Sequence, residues 1–188
     1  MKDIILRTAA EKIQCYGLRK FTMDEIAEEL KISKKTLYKY FSGKDEIIHE
    51  YFIAIVKSDI ESTEEALKKA NSLSDKLNAI VNSYHKYKLP AHVYDEASKF
   101  YKNEWEEVQK LKNYKLELIN DILKAAVNEG YLKKDINLNI VGVMLEKTVD
   151  TLFSYEFLSE NNMTIHEASD KVINILLHGI MDDSQKKD

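Results

Sequence analysis

Apolar residues recur along this chain at helical spacing from one end to the other. Ile5, Ala9 and Ile13, with Leu6 and Ala10 beside them, predict a first helix over about residues 2–16, stopped by Gly17. Met23, Ile26, Ala27 and Leu30 then fall at i, i+3, i+4 and i+7; Thr22 is placed to cap this second helix, with Glu25 completing a capping box. Lys31 and Ile32 leave room only for a turn before Ser33, a good cap for a third helix. Leu37 and Phe41 share the inner face of that helix, whereas Lys35, Tyr38 and Lys39 point the other way. A long helix from Lys44 to about Ala70 presents Ile48, Tyr51, Phe52 and Ile55 inward.

The remainder continues in kind. Ser74 or Asp75 is expected to cap a helix carrying Leu77, Ile80, Val81 and Tyr84 to about Lys88, ended by Pro90. A short helix around 92–101 precedes a long one to Glu129 with Leu111, Tyr114, Leu118, Ile122 and Ala125 in register, closed by Gly130 and a 131–137 loop. Residues 138–159 read as one helix with two apolar faces. Val141, Leu145, Thr148, Leu152 and Tyr155 make one; Ile140, Val143, Met144, Val149 and Phe153 make the other. Thr164 and Glu167 form a second capping box before a last helix aligning Ala168, Val172, Ile175, Leu176 and Gly179. A helix apolar on two sides needs two burial partners, and the second can be another copy of the chain or more of its own core.

Composition agrees with an all-α chain: 188 residues include one proline and five glycines. Cys15 is the only cysteine, so no intramolecular disulfide forms and a reducing compartment suits the chain. The N-terminus is amphipathic and broken by charges, and no apolar run is long enough to span a bilayer, so a cytoplasmic protein is expected. Charge changes the picture more. The net charge is −4, yet residues 1–50 carry ten Lys/Arg against nine Asp/Glu, and residues 51–188 eighteen against twenty-three. Five lysines and no acid lie between Lys31 and Lys44. A helix–turn–helix offering Lys, Thr and Tyr from its second helix suits a DNA major groove, though a solvated lysine face would read the same way.

The order of residues decides between these. Thr36-Leu37-Tyr38-Lys39-Tyr40-Phe41 followed by Lys44-Asp45-Glu46-Ile47, with Ala9, Gly17 and the FTMDEIA run upstream, resembles the DNA-binding domain of the tetracycline-repressor (TetR) family of bacterial transcriptional regulators. The resemblance is tight over roughly the first fifty residues and continues as helix layout. One departure is Lys31, where the family usually places glycine; a left-handed lysine would cost about 1 kcal/mol or more, so a reshaped turn is expected. The resemblance implies an N-terminal three-helix helix–turn–helix domain over residues 1–46. It also implies a C-terminal helical ligand-binding and dimerisation domain over residues 47–188, about nine helices in all.

It further implies a homodimeric repressor whose two recognition helices enter successive major grooves of a near-palindromic double-stranded operator, about 34–36 Å apart. Phosphate contacts would come from Thr22, Tyr38, Tyr40 and Lys44, and base contacts from Lys34, Lys35, Thr36 and Lys39, beside the cap Ser33. The dimer face would use Val141, Leu145, Thr148, Leu152, Ala168, Val172, Ile175, Leu176 and Gly179. A small-molecule effector is implied too, and the aromatics of the middle region suggest an apolar pocket touching Tyr84, His85, Trp105, Tyr114 and Phe153. Each of those aromatics could equally be ordinary core. A ligand-independent regulator or activator with the same DNA domain is the alternative. No motif for catalysis, a metal or a cofactor appears, so none is expected.

Overall fold

The computed structural model describes residues 1–82, 89–152 and 154–181. Among them lie ten helices, one more than the spacing suggested. They are α1 (Lys2–Tyr16), α2 (Met23–Glu29), α3 (Lys34–Leu37), α4 (Lys44–Lys69), α5 (Leu73–Asn82), α6 (Ala91–Phe100), α7 (Lys102–Asn128), α8 (Leu138–Leu152), α9 (Tyr155–Glu160) and α10 (Ile165–Ile180). No strand occurs among the described residues. The extra element comes from the expected 138–159 helix: α8 ends at Leu152, and Ser154 caps α9 by accepting the Phe157 N–H. At α5 the cap is Ser72, not Ser74 or Asp75; Ser72 Oγ accepts the Asp75 N–H while the Asp75 carboxylate accepts the Ser72 N–H. The stretch 131–137 is more than a loop: Leu132 is buried and bridges Met181 in antiparallel fashion.

The helices pack as two compact units. The described residues of Met1–Ser58 and His85–Gln109 form the first; those of Asp59–Tyr84 and Lys110–Asp188 form the second. In the first unit α1 contributes Ile5, Ala9 and Ile13, all fully buried, and α4 contributes Ile47, Ile48, Tyr51 and Phe52. Tyr51 meets Phe52 edge to face at 5.6 Å, and burial pushes its phenol above the ordinary value. α6 adds Val93 and Ala97, and α7 adds Val108. Glu96 on α6 then fastens the end of α1: its carboxylate accepts the Leu18 N–H at 2.5 Å, directly beside Gly17.

The second unit is centred on Leu77 and Ile80 of α5, Ile119, Leu123 and Ala126 of α7, Val141 and Leu145 of α8, and Ile173, Leu177 and Ile180 of α10. The inner face of α7 thus runs through Val108, Ile119, Leu123 and Ala126. Of the expected register, Leu111, Tyr114, Leu118 and Ile122 are half-buried and Ala125 is exposed. The polar partners explain the rotation: Lys115 of α7 reaches inward to the buried Asp59 of α4 at 2.6 Å. An ion pair shielded from water in this way needs its partner on the packed side of the helix.

Candidate nucleic-acid interface

α2 and α3 owe their geometry to their caps. Thr22 Oγ1 accepts the Glu25 N–H at 3.2 Å while Glu25 Oε2 accepts the Thr22 N–H at 2.7 Å, the reciprocal box expected from the sequence. Those bonds hold the Glu25 carboxyl below its ordinary value. Ser33 Oγ accepts the Thr36 N–H at 3.0 Å at the start of α3. Between the helices Lys31 itself takes the left-handed conformation, with φ 52°, and Ile32 N–H bonds Ala27 O at 3.0 Å. The expected reshaping is therefore not what the chain does; it keeps the tight turn and absorbs the strain in a lysine. α3 is short. After Leu37 the chain tightens, with Lys39 N–H bonding Thr36 O and Tyr40 N–H bonding Leu37 O, before Phe41 re-enters the core.

Two fully buried side chains, Leu37 and Phe41, anchor this segment in the core it shares with Ile26 and Phe21. Everything between them faces out. Lys34, Lys35, Tyr38, Lys39 and Tyr40 are exposed, Tyr38 at 51% and Tyr40 at 40%, and Thr36 is half-buried. Among the described residues no hydrogen bond or ion pair engages the side chain of Lys35 or Lys39. Lys34 is different: its ammonium meets Asp24 of α2 at 2.7 Å, a partner that no spacing rule in the sequence suggested. Lys44 differs as well. Its Nζ donates to Arg19 O at 2.8 Å and Phe21 O at 2.7 Å and sits 4.4 Å from the centre of the Phe21 ring, so two of its three N–H donors already hold the loop before α2. The hydroxyls of Thr22 and Thr36 serve the caps, Thr36 Oγ1 lying 2.8 Å from Ser33 Oγ.

The other expected residues divide. Tyr84, His85 and Phe153 lie outside the described residues. Trp105 packs edge to face on Tyr94 at 4.6 Å in the first unit, and Tyr114 belongs to the second. Of the nine residues expected at a dimer face, Val141, Leu145 and Ala168 are buried within their own unit, because Val141 and Leu145 pack with Ile173 and Leu177. Thr148, Leu152, Val172 and Leu176 are half-buried; Ile175 and Gly179 are exposed. The apolar residues α8 leaves in solvent are those of its other stripe, Ile140, Val143 and Met144.

No helix among the described residues is long and apolar enough to cross a membrane, and no group of three or more His, Cys, Asp and Glu among them is arranged to hold a metal ion.

Residues 5–51 match the family described as bacterial regulatory proteins, tetR family. The chain is 23% identical over 184 residues to the fatty acid metabolism regulator protein of Bacillus subtilis, covering 94% of this chain and 93% of that one. Its fold is shared by a TetR-family transcriptional regulator from Marinobacter aquaeolei (TM-score 0.77, 18% identity, 100% and 94% covered). It is shared also by the fatty acid degradation regulator FadR from Bacillus halodurans (TM-score 0.62, 16% identity, 94% of each). The capped α2, the left-handed turn, the lysine-bearing α3 and the tyrosines just after it thus lie inside the stretch that matches the tetR family of bacterial regulatory proteins, and the chain shares the fold of a TetR-family transcriptional regulator.

Proposed function

We propose that the chain is a homodimeric repressor that places the Lys34–Tyr40 segments of two copies in successive major grooves of a near-palindromic operator. The observation that carries this is the exposed run between buried Leu37 and Phe41 and just before it, where Lys35 and Lys39 stand unengaged on a rigidly anchored turn. Lysines placed there can donate to guanine O6/N7, while Tyr38, Tyr40 and the third N–H of Lys44 suit phosphates. On this reading residues 1–46 contact DNA and residues 47–188 regulate. Dimerisation draws support from apolar residues left in solvent on a single chain, Ile140, Val143 and Met144 on α8 and Ile175 on α10, the last 75% exposed.

Release follows if a small apolar or aromatic ligand binds one subunit arrangement better than the DNA-competent one, since it can shift the equilibrium only by that difference. α4 is the coupling element on this reading, because it runs unbroken from residues of the first unit into residues of the second. The decisive experiment is a salt-titrated binding assay on the DNA upstream of the protein's own gene, with and without Lys39→Ala. Sequence-dependent binding lost in the variant supports the reading; equal loss on specific and non-specific DNA contradicts it. The same assay screens effectors, with fatty acids in the panel because a relative is named for fatty acid metabolism.

A further inference from the structure

The acidic side chains of α2 are disposed in an unequal way. Glu25 is turned back onto Thr22 in the capping box, and Glu29 pairs with Lys12 of α1 at 2.6 Å. Asp24 instead reaches across the turn to Lys34, the first residue of α3, at 2.7 Å. No acid occurs in the sequence between Lys31 and Lys44, so Asp24 brings a negative charge from a neighbouring helix to an otherwise wholly basic segment. Both side chains are exposed, 64% for Lys34 and 63% for Asp24, so the pair is open to competition from phosphate.

We propose that Asp24 is a specificity-determining residue: its carboxylate holds the Lys34 ammonium within the α2–α3 pair and withholds one cation from sequence-independent phosphate binding. This rests on the reading of the Lys34–Tyr40 segment as the DNA-contacting one. On arbitrary DNA, moving Lys34 to a phosphate leaves Asp24 unpaired beside a polyanion, so the exchange gains little. At the correct site a base edge offering lone pairs in the groove can take Lys34 where a phosphate does not. The cost of the acid therefore falls mainly on the wrong sequences.

Asp24→Asn, Lys34→Ala and the double variant of the full chain separate these effects by salt-titrated binding. The probes are a mixed-sequence duplex and the best-binding duplex from the upstream region, with thermal midpoints confirming that each variant folds. One phosphate contact adds about 0.9 to the slope of log K against log salt, which is roughly a 3.5-fold change in K between about 50 and 200 mM. Asp24→Asn is expected to steepen the mixed-sequence slope by about 0.9 and raise that affinity several-fold at low salt, with a smaller rise on the specific duplex. In the Lys34→Ala background the same substitution should leave the slope unchanged. An unchanged slope in Asp24→Asn, or an equal gain without Lys34, overturns the proposal while leaving the DNA-binding reading intact. A wild-type chain that binds neither duplex overturns both.

Discussion

Substituting Gly17 by alanine probes the joint between α1 and α6. Gly17 has φ 88° and ψ 174°, a region open essentially to glycine, and forcing a side chain into it costs about 1–3 kcal/mol. The Cβ would also stand 2.8 Å from Glu96 Oε2 and 2.9 Å from Oε1. Glu96 sits at the end of a flexible side chain, so it can retreat, but its carboxylate accepts the Leu18 N–H at 2.5 Å. Retreat gives up a hydrogen bond to a charged group, worth about 1.5–3 kcal/mol. With partial relaxation the variant should lose about 3–5 kcal/mol, a large share of the stability typical of a domain. For a chain of this size that corresponds to roughly 10 °C in Tm. Urea and thermal melts followed by circular dichroism on Gly17→Ala, Glu96→Ala and the double variant resolve the two contributions. Without the Glu96 carboxylate, the alanine should cost only the backbone share, about 1–3 kcal/mol. A loss under about 1 kcal/mol in Gly17→Ala would refute the conformational argument, and an equal cost in both backgrounds would refute the steric one.

Lys44→Ala removes two hydrogen bonds to loop carbonyls and the contact with Phe21, and should lower the unfolding free energy by about 1–3 kcal/mol, measured by urea titration; an unchanged midpoint would mean that the lysine serves DNA alone. The Glu25 carboxyl is depressed by its bonds to Thr22, so its contribution is present above its ordinary value of 4.5 and fades as pH falls through the lower folded value. Wild type and Glu25→Gln should therefore differ in urea midpoint at pH 7 and converge as the pH is taken below 4.5; a constant gap contradicts the assignment. On the proposed homodimer, Ile175→Asp places a charge on the exposed apolar side of α10 and should shift sedimentation at micromolar concentration from dimer to monomer without loss of helicity; a dimer unchanged by it would move the interface elsewhere, and a wild-type monomer would refute the proposed assembly.

Local chemistry was legible in the sequence wherever a structural feature is decided within a few residues. The capping boxes at Thr22/Glu25 and Thr164/Glu167, the bounds of α1, the Ser33 cap and the inward pair Leu37 and Phe41 all formed as the spacing implied. Each depends on bonds or burial within one or two helical turns, and the chain carries that information directly. The outward lysines of α3 and the Tyr38–Tyr40 turn after it were legible for the same reason, since once Leu37 and Phe41 are inside, the tight turn between them points its residues out.

Tertiary packing decided the rest. α8 carries two apolar stripes of similar quality, and periodicity cannot rank them; only the presence of Ile173, Leu177 and Ile180 turned Val141 and Leu145 inward and left Ile140, Val143 and Met144 outside. The rotation of α7 was likewise set by a partner distant in sequence, Asp59, which draws Lys115 to the packed side. Lys31 kept the left-handed turn because the burial of Ile26 and Leu37 on either side outweighs about 1 kcal/mol of backbone strain. The pairing of Asp24 with Lys34 and of Glu96 with Leu18 follows from which helices meet, and nothing in a single-helix repeat encodes that. Short-range bonds write themselves into sequence spacing; the choice between faces is made by whatever arrives from elsewhere in the chain.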